Sequence, residues 1–196
     1  MFQLDKLFGV SKEKLLAQMG SGDNKSALEA VKKLQDKNHF RDGTLRGINL
    51  AGANLQKVLL ARADMEGAVL QGANLRESYF GATNLRGANL EKADLGGANM
   101  REVILIGANL SCANMCNTHL ASARLQEATL SGVNLCEANL WGANLQGATL
   151  DGAEFSSETV LPDGTRWTPD TDISRFTDQE HPNFWRSATR YSHAHK

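Results

Sequence analysis

Few residues of this 196-residue chain have both the type and the spacing to do chemistry. Cys116 and Cys136 lie twenty residues apart, and Cys112 lies four before the first of them. Two neighbouring thiols can be oxidised to a disulfide, and three thiolates can contribute to a zinc site. No CxxC spacing or fourth ligand accompanies them, so no metal is assigned. His193 and His195 alternate near the C-terminus, where a loose polar end is expected instead of a metal grip. His119 stands alone. The chain has no nucleophile elbow, phosphate loop, HExxH helix or paired catalytic carboxylates. Its glycines fall at regular intervals and do not form a phosphate cradle. The expectation is a protein without catalytic residues, cofactor or metal.

The elements that would position these residues follow from a period of five. Every fifth residue from Leu45 to Phe155 is Leu, Met or Phe, including Met65, Phe80, Met100 and Met115. Such a period fits neither an α-helix nor a flat strand, so the chain must turn a corner once per repeat. Taking the apolar fifth residue as the centre, the position two before it is Ala in fifteen of twenty-three repeats. Asn occupies the position just before the centre in eleven repeats, and Gly the position two after it in eleven. Centre and minus-two can both point inward from one short extended segment, one large and one small. Gly at plus-two suits a tight turn with positive φ. A different corner is expected where Lys57, Glu77, Lys92, Glu102 or Glu137 takes that place. Four such sides make a coil of about twenty residues, stacked at roughly 4.7–4.9 Å.

Residues twenty apart then form columns. Cys116 and Cys136 become a stacked pair, with Cα atoms about 4.8 Å apart. Reduced thiols in contact are preferred to a disulfide, because parallel side chains leave the Cβ atoms slightly too far apart. Asn54, Asn74, Asp94, Asn114 and Asn134 form another column, read as an amide ladder that supports the stack. A third holds Leu59, Tyr79, Asn99, His119 and Asn139, with Trp141 beside it. Ile104 and Ile106 flank Leu105 on the neighbouring side. Leu59, Tyr79, Ile104, Ile106, His119 and Trp141 are the outward residues that the coil does not require, and they are the candidate partner contacts. N-terminal helices folding back over Leu59 and Tyr79 would be the structural explanation of the first two.

The runs GANLQ, RGANLEKADLGGANM and EANLWGANLQGATLDGAEF resemble the A(N/D)Lxx pattern of the pentapeptide-repeat family, over about residues 43–155. The resemblance implies an all-β solenoid, the right-handed quadrilateral β-helix. Nearly six coils would give a rod about 28 Å long. Three parts are expected: a helical N-terminal cap over residues 1–39, the repeats over 40–157, and an irregular C-terminal cap with a loose tail over 158–196. In the first part, Ser26 and Glu29 read as a capping box. In the last, Pro162-Asp163-Gly164 signals a turn, and Leu161, Trp167, Ile173 and Phe176 can cover the last coil. Similar LPDGT-x-W tails follow the repeats in other family members.

The formal net charge of −1 gives no global pull toward nucleic acid or an anionic membrane. No apolar run is long enough to span a bilayer. An odd cysteine count without a secretory signal points to the cytoplasm. The leading expectation is a structural or interaction scaffold, with a monomer consistent with the sequence, that presents rigid sides to an unidentified protein. The alternative implied by the resemblance is a DNA mimic that binds a type II topoisomerase such as gyrase. Residues 43–155 carry ten acidic and eight basic side chains, far from the charge density of a duplex, and the register leaves no inserted loop.

Overall fold

The computed structural model describes residues 10–187. From Asn49↔Val69 to Asn134↔Glu154, each residue just before a centre forms a parallel bridge with its counterpart twenty residues later. Four five-residue sides therefore complete one turn. Each side contributes a single bridging residue, and among the described residues no run of strand forms. The physical reason is the corner itself, which interrupts the extended backbone before a second residue can pair.

The repeat Ala73–Glu77 accounts for all five of its backbone N–H groups. Ala73 donates to Leu70 O within the corner (3.0 Å), and Asn74 donates to Ala53 O of the preceding coil (2.9 Å). Leu75 and Glu77 donate to Asp94 O and Gly96 O of the following coil, at 2.7 and 3.0 Å. The remaining N–H, on Arg76, meets the Asn74 Oδ1 at 3.2 Å. This last bond explains the preference for Asn or Asp before the centre. Its side-chain oxygen closes a local turn on the one N–H that the stack leaves unused. The same bond recurs at Asn89, Asn109, Asn134 and Asn139, among others. The amide ladder is the lesser effect: side-chain links between coils run from Asn74 to Asn54, Asn84 to Asp64 and Asn114 to Asp94.

The corners depart from expectation. Every plus-two residue from Gly47 to Gly152 has positive φ, including Lys57, Glu77, Lys92, Glu102 and Glu137, at 54° to 62°. The corner is the same with or without glycine. From Gly47 to Gly132 each plus-two N–H reaches a carbonyl of the next coil, as Lys57 reaches Arg76 O at 2.9 Å, and only one backbone geometry delivers it. Side chains tolerate the left-handed region at about 1–2 kcal/mol each, since the bonds of two coils depend on it.

The interior holds the centres and the minus-two residues, all of the large centres from Leu45 to Leu140 being buried. Where minus-two is Thr83 or Thr118, the hydroxyl is buried and donates to a centre carbonyl of the preceding coil, Leu60 O or Leu95 O. Thr159 does the same to Leu135 O. It belongs to a further side displaced by one residue, in which Leu161 is buried and Val160 bridges Asn139. The strict register ends at Phe155, but the coil geometry continues after a one-residue slip.

Two helices close the first coil: α1, Lys12–Met19, and α2, Asn24–Asp36. The N-cap of α2 is Asp23, which accepts from the Ser26 N–H, so the helix starts ahead of the expected Ser26 box. Leu15, Met19, Val31 and Leu34 join the core of the coil. Carbonyls of Asn54 and Gln56 have no preceding coil to serve them. The Asn24 side-chain amide donates to both, at 3.2 and 3.0 Å. At the other end Phe155 stacks on Trp167, and Phe176 is buried against Trp185. Ser187, expected in the loose tail, donates to Gly142 O. The pair His193 and His195 lies outside the described residues. The short helix α3, Ser174–Thr177, carries Phe176 into this cap.

Two stability outcomes follow. Ala82 is an exposed corner residue with φ of 54°, so Ala82→Gly should raise stability by about 0.5 kcal/mol, relief of strain exceeding the entropy of glycine. Ala51→Gly, one position earlier in a corner, should instead lower it by a similar amount. Paired urea melts read both, and equal signs would contradict the corner argument. Asn24→Ala should lower stability by about 1–2 kcal/mol in the same assay, because two carbonyls lose their donor.

Candidate functional site

The Leu59 side of the solenoid carries most of the sequence-derived contacts. Leu59 bridges Tyr79, Tyr79 bridges Asn99, and Asn99 bridges His119, so these four stand on successive coils. Leu59, Tyr79 and Trp141 are 58%, 49% and 56% exposed, and no other large apolar side chain among the described residues is so open. The N-terminal helices therefore do not cover Leu59 and Tyr79. They serve the carbonyls at the end of the first coil instead. His119 is exposed on the same column.

Trp141 lies about 14 Å further along the stack than Tyr79, at three coil spacings. A Cβ on Gly164 would stand 3.3 Å from Trp141 Cδ1, so the indole rests against the C-terminal cap. Ile104 and Ile106 are half-buried on the adjoining side, around one corner from Leu59 and Tyr79. The structure thus brings together Leu59 and Tyr79, extends their column to His119, and sets Trp141, Ile104 and Ile106 apart.

Around that corner lies an open recess of ≈ 740 Å³ lined by Arg41, Arg62, Arg86, Asn84 and Ile104, among others. Asp64 also lines it, but this carboxylate is engaged by Arg46 Nε at 2.6 Å and by Asn84 Nδ2 at 3.0 Å. Among the described residues, Arg41, Arg62 and Arg86 form no ion pair. The column reading missed them, because Arg41 precedes the first centre, Arg62 stands on the corner and Arg86 is on the next side. Only a signal spanning two sides and the cap linker could have found them.

Cys112, Cys116 and Cys136 are free thiols, the first exposed and the other two half-buried. Burial, followed by the nearby Glu137 and Cys136, pushes the Cys116 thiol up. It is thus the protonated, unreactive form at neutral pH. Among the described residues no group of His, Cys, Asp and Glu could hold a metal ion, and no helix is long and apolar enough to cross a membrane. Alkylation with iodoacetamide at about pH 8, read by peptide mass mapping, should label Cys112 first. Labelling of Cys116 should accelerate only above the pH at which an ordinary thiol ionises. Faster reaction at Cys116 would contradict the assignment.

Comparison with known proteins agrees with this geometry. A search of curated proteins gave no match. Among solved structures, the pentapeptide repeat protein Rfr23 from the cyanobacterium Cyanothece 51142 is 30% identical, with a TM-score of 0.57. The match covers 58% of this chain and 90% of that one. A pentapeptide repeat protein from the Arabidopsis thaliana thylakoid lumen is 31% identical over 57% of this chain and 74% of that one, with a TM-score of 0.40. QnrB1, a plasmid-mediated fluoroquinolone resistance protein, is 24% identical at a TM-score of 0.32, over 57% of this chain and 58% of its own. The profile of pentapeptide repeats matches residues 45–81, 83–120 and 123–157, in eight copies. With more than half of its length matched, and with bridges at twenty-residue intervals throughout that span, the chain belongs to the pentapeptide repeat family.

Proposed function

We propose that this protein is a non-enzymatic interaction scaffold, which presents one side of a right-handed quadrilateral β-helix to a protein partner, in the cytoplasm. The observation that carries the reading is the exposure of Leu59 and Tyr79 on adjacent coils of a solenoid that buries its large centres from Leu45 to Leu140. The coil does not need them, and the described residues of the two caps do not cover them. Exposed apolar side chains held side by side on a rigid support suit docking. The recesses on the sides, among the described residues, are open to solvent, unlike the water-excluding pockets that catalysis uses, which supports a non-enzymatic role.

A topoisomerase-directed DNA mimic is the weaker reading. Mimicry calls for a surface dense in negative charge. The sides here mix both signs, and one recess is lined by Arg41, Arg62 and Arg86, which form no ion pair among the described residues.

The reading is tested by affinity capture from a lysate of the source cells. Wild type is compared with a Leu59→Ala/Tyr79→Ala variant of unchanged melting temperature. At least one specifically captured protein should fall about tenfold or more with the variant, as expected when contacts worth a few kcal/mol are lost. Identical captured sets would remove this side as the contact.

A further inference from the structure

We propose that the partner surface recognises an acidic protein segment bearing an apolar side chain, which seats its carboxylates in the arginine recess and its apolar group on Leu59 and Tyr79. The inference rests on the interaction-scaffold reading and specifies the chemistry of its partner.

Two recesses meet at one corner of the solenoid. The first, with Arg41, Arg62 and Arg86 at its rim, has Ala63, Ala82 and Ile104 among its lining. A second, shallower one lies on the Leu59 side and is lined by Tyr79, Gly81, Asn99 and Arg101. Arg62 and Ala82 line both. The apolar contacts and the cationic recess therefore form a single surface that turns the corner.

The charge around this corner is one-sided. Arg41, Arg62, Arg86 and Arg101 face it with no ion pair among the described residues. Asp64 is held by Arg46, which leaves Glu102 as the unengaged carboxylate of the lining. Guanidinium groups match carboxylates in a planar, two-pronged geometry, and several of one sign in a recess raise the local concentration of the opposite charge. Nucleic acid is disfavoured as the ligand, since it needs a continuous basic track. Here Asp64 and Glu66 interrupt the arginines within one coil. A small inorganic anion would leave Leu59 and Tyr79 unused. An acidic segment with an apolar anchor uses both halves.

Fluorescence anisotropy of the full chain with labelled peptides tests this. One probe is rich in Glu with a Leu and a Trp, and its counterpart has Gln in place of each Glu. The acidic peptide should bind and weaken as salt rises from about 50 to about 300 mM. Arg62→Glu combined with Arg86→Glu should weaken it about tenfold or more, while Lys92→Glu, on another side, should change it by less than about twofold. Matching thermal melts establish that all variants fold.

Equal binding of the Gln peptide, equal loss with Lys92→Glu, tighter binding of duplex DNA, or no binding of the acidic peptide at millimolar protein would overturn the proposal. Failure of this proposal and failure of the scaffold reading separate cleanly. Sensitivity to Leu59→Ala/Tyr79→Ala without sensitivity to the arginine reversals keeps the apolar contact and overturns the acidic partner. Sensitivity to the reversals alone overturns the shared surface.

Discussion

The backbone hydrogen bond from each corner to the next coil is the interaction on which the rest of the molecule depends. The plus-two N–H reaches a carbonyl of the following coil only when its residue adopts positive φ. That single requirement repeats without a break from Gly47 to Gly132 and holds the turn at twenty residues. Every column of side chains then follows, because a residue and its counterpart one turn later are bridged. A corner of another shape would shift the register and move core residues to the surface. The strain of a left-handed Lys or Glu is accepted because relieving it locally would cost bonds in two coils.

A solenoid built this way has its weak points at its ends, where carbonyls and apolar centres lose their neighbours. The two caps answer with different means. At the start, the Asn24 side chain imitates the donors of a missing coil while α1 and α2 lay apolar residues on the open core. At the finish, the chain first adds a slipped side through Thr159 and Leu161, and then aromatic residues take over. Because both ends are served locally, the described parts of the caps leave the Leu59 and Tyr79 stretch of the side uncovered. That is why Leu59 and Tyr79 face solvent, and why the corner beside them can hold several arginines that form no ion pair among the described residues.

The thiols show the same separation of scaffold from surface. Cys116 and Cys136 fill places that on other coils are taken by Gln56, Arg76 or Gly96, and their half-buried setting keeps Cys116 protonated. Their stacking is a consequence of the period. It does not create a reactive centre in the way that a helix N-terminus or an imidazole would.

The solenoid, its turn length, its core and the outward placing of Leu59 and Tyr79 were legible in the amino-acid order. A five-residue period allows one arrangement of inward and outward positions, and it is repeated often enough to exclude others. The uniform corner was not legible, since Lys57 or Glu77 by local preference argues against positive φ, and only hydrogen bonds to the next coil override it. Nor was the first cap, whose Asn24 amide finds carbonyls thirty and thirty-two residues later. The arginine recess was hidden for a related reason: it joins a cap linker, a corner and a neighbouring side that share no column. Periodicity determines what repeats along the chain. What gathers across a corner or closes an end depends on through-space neighbours, and the tertiary structure alone decides those.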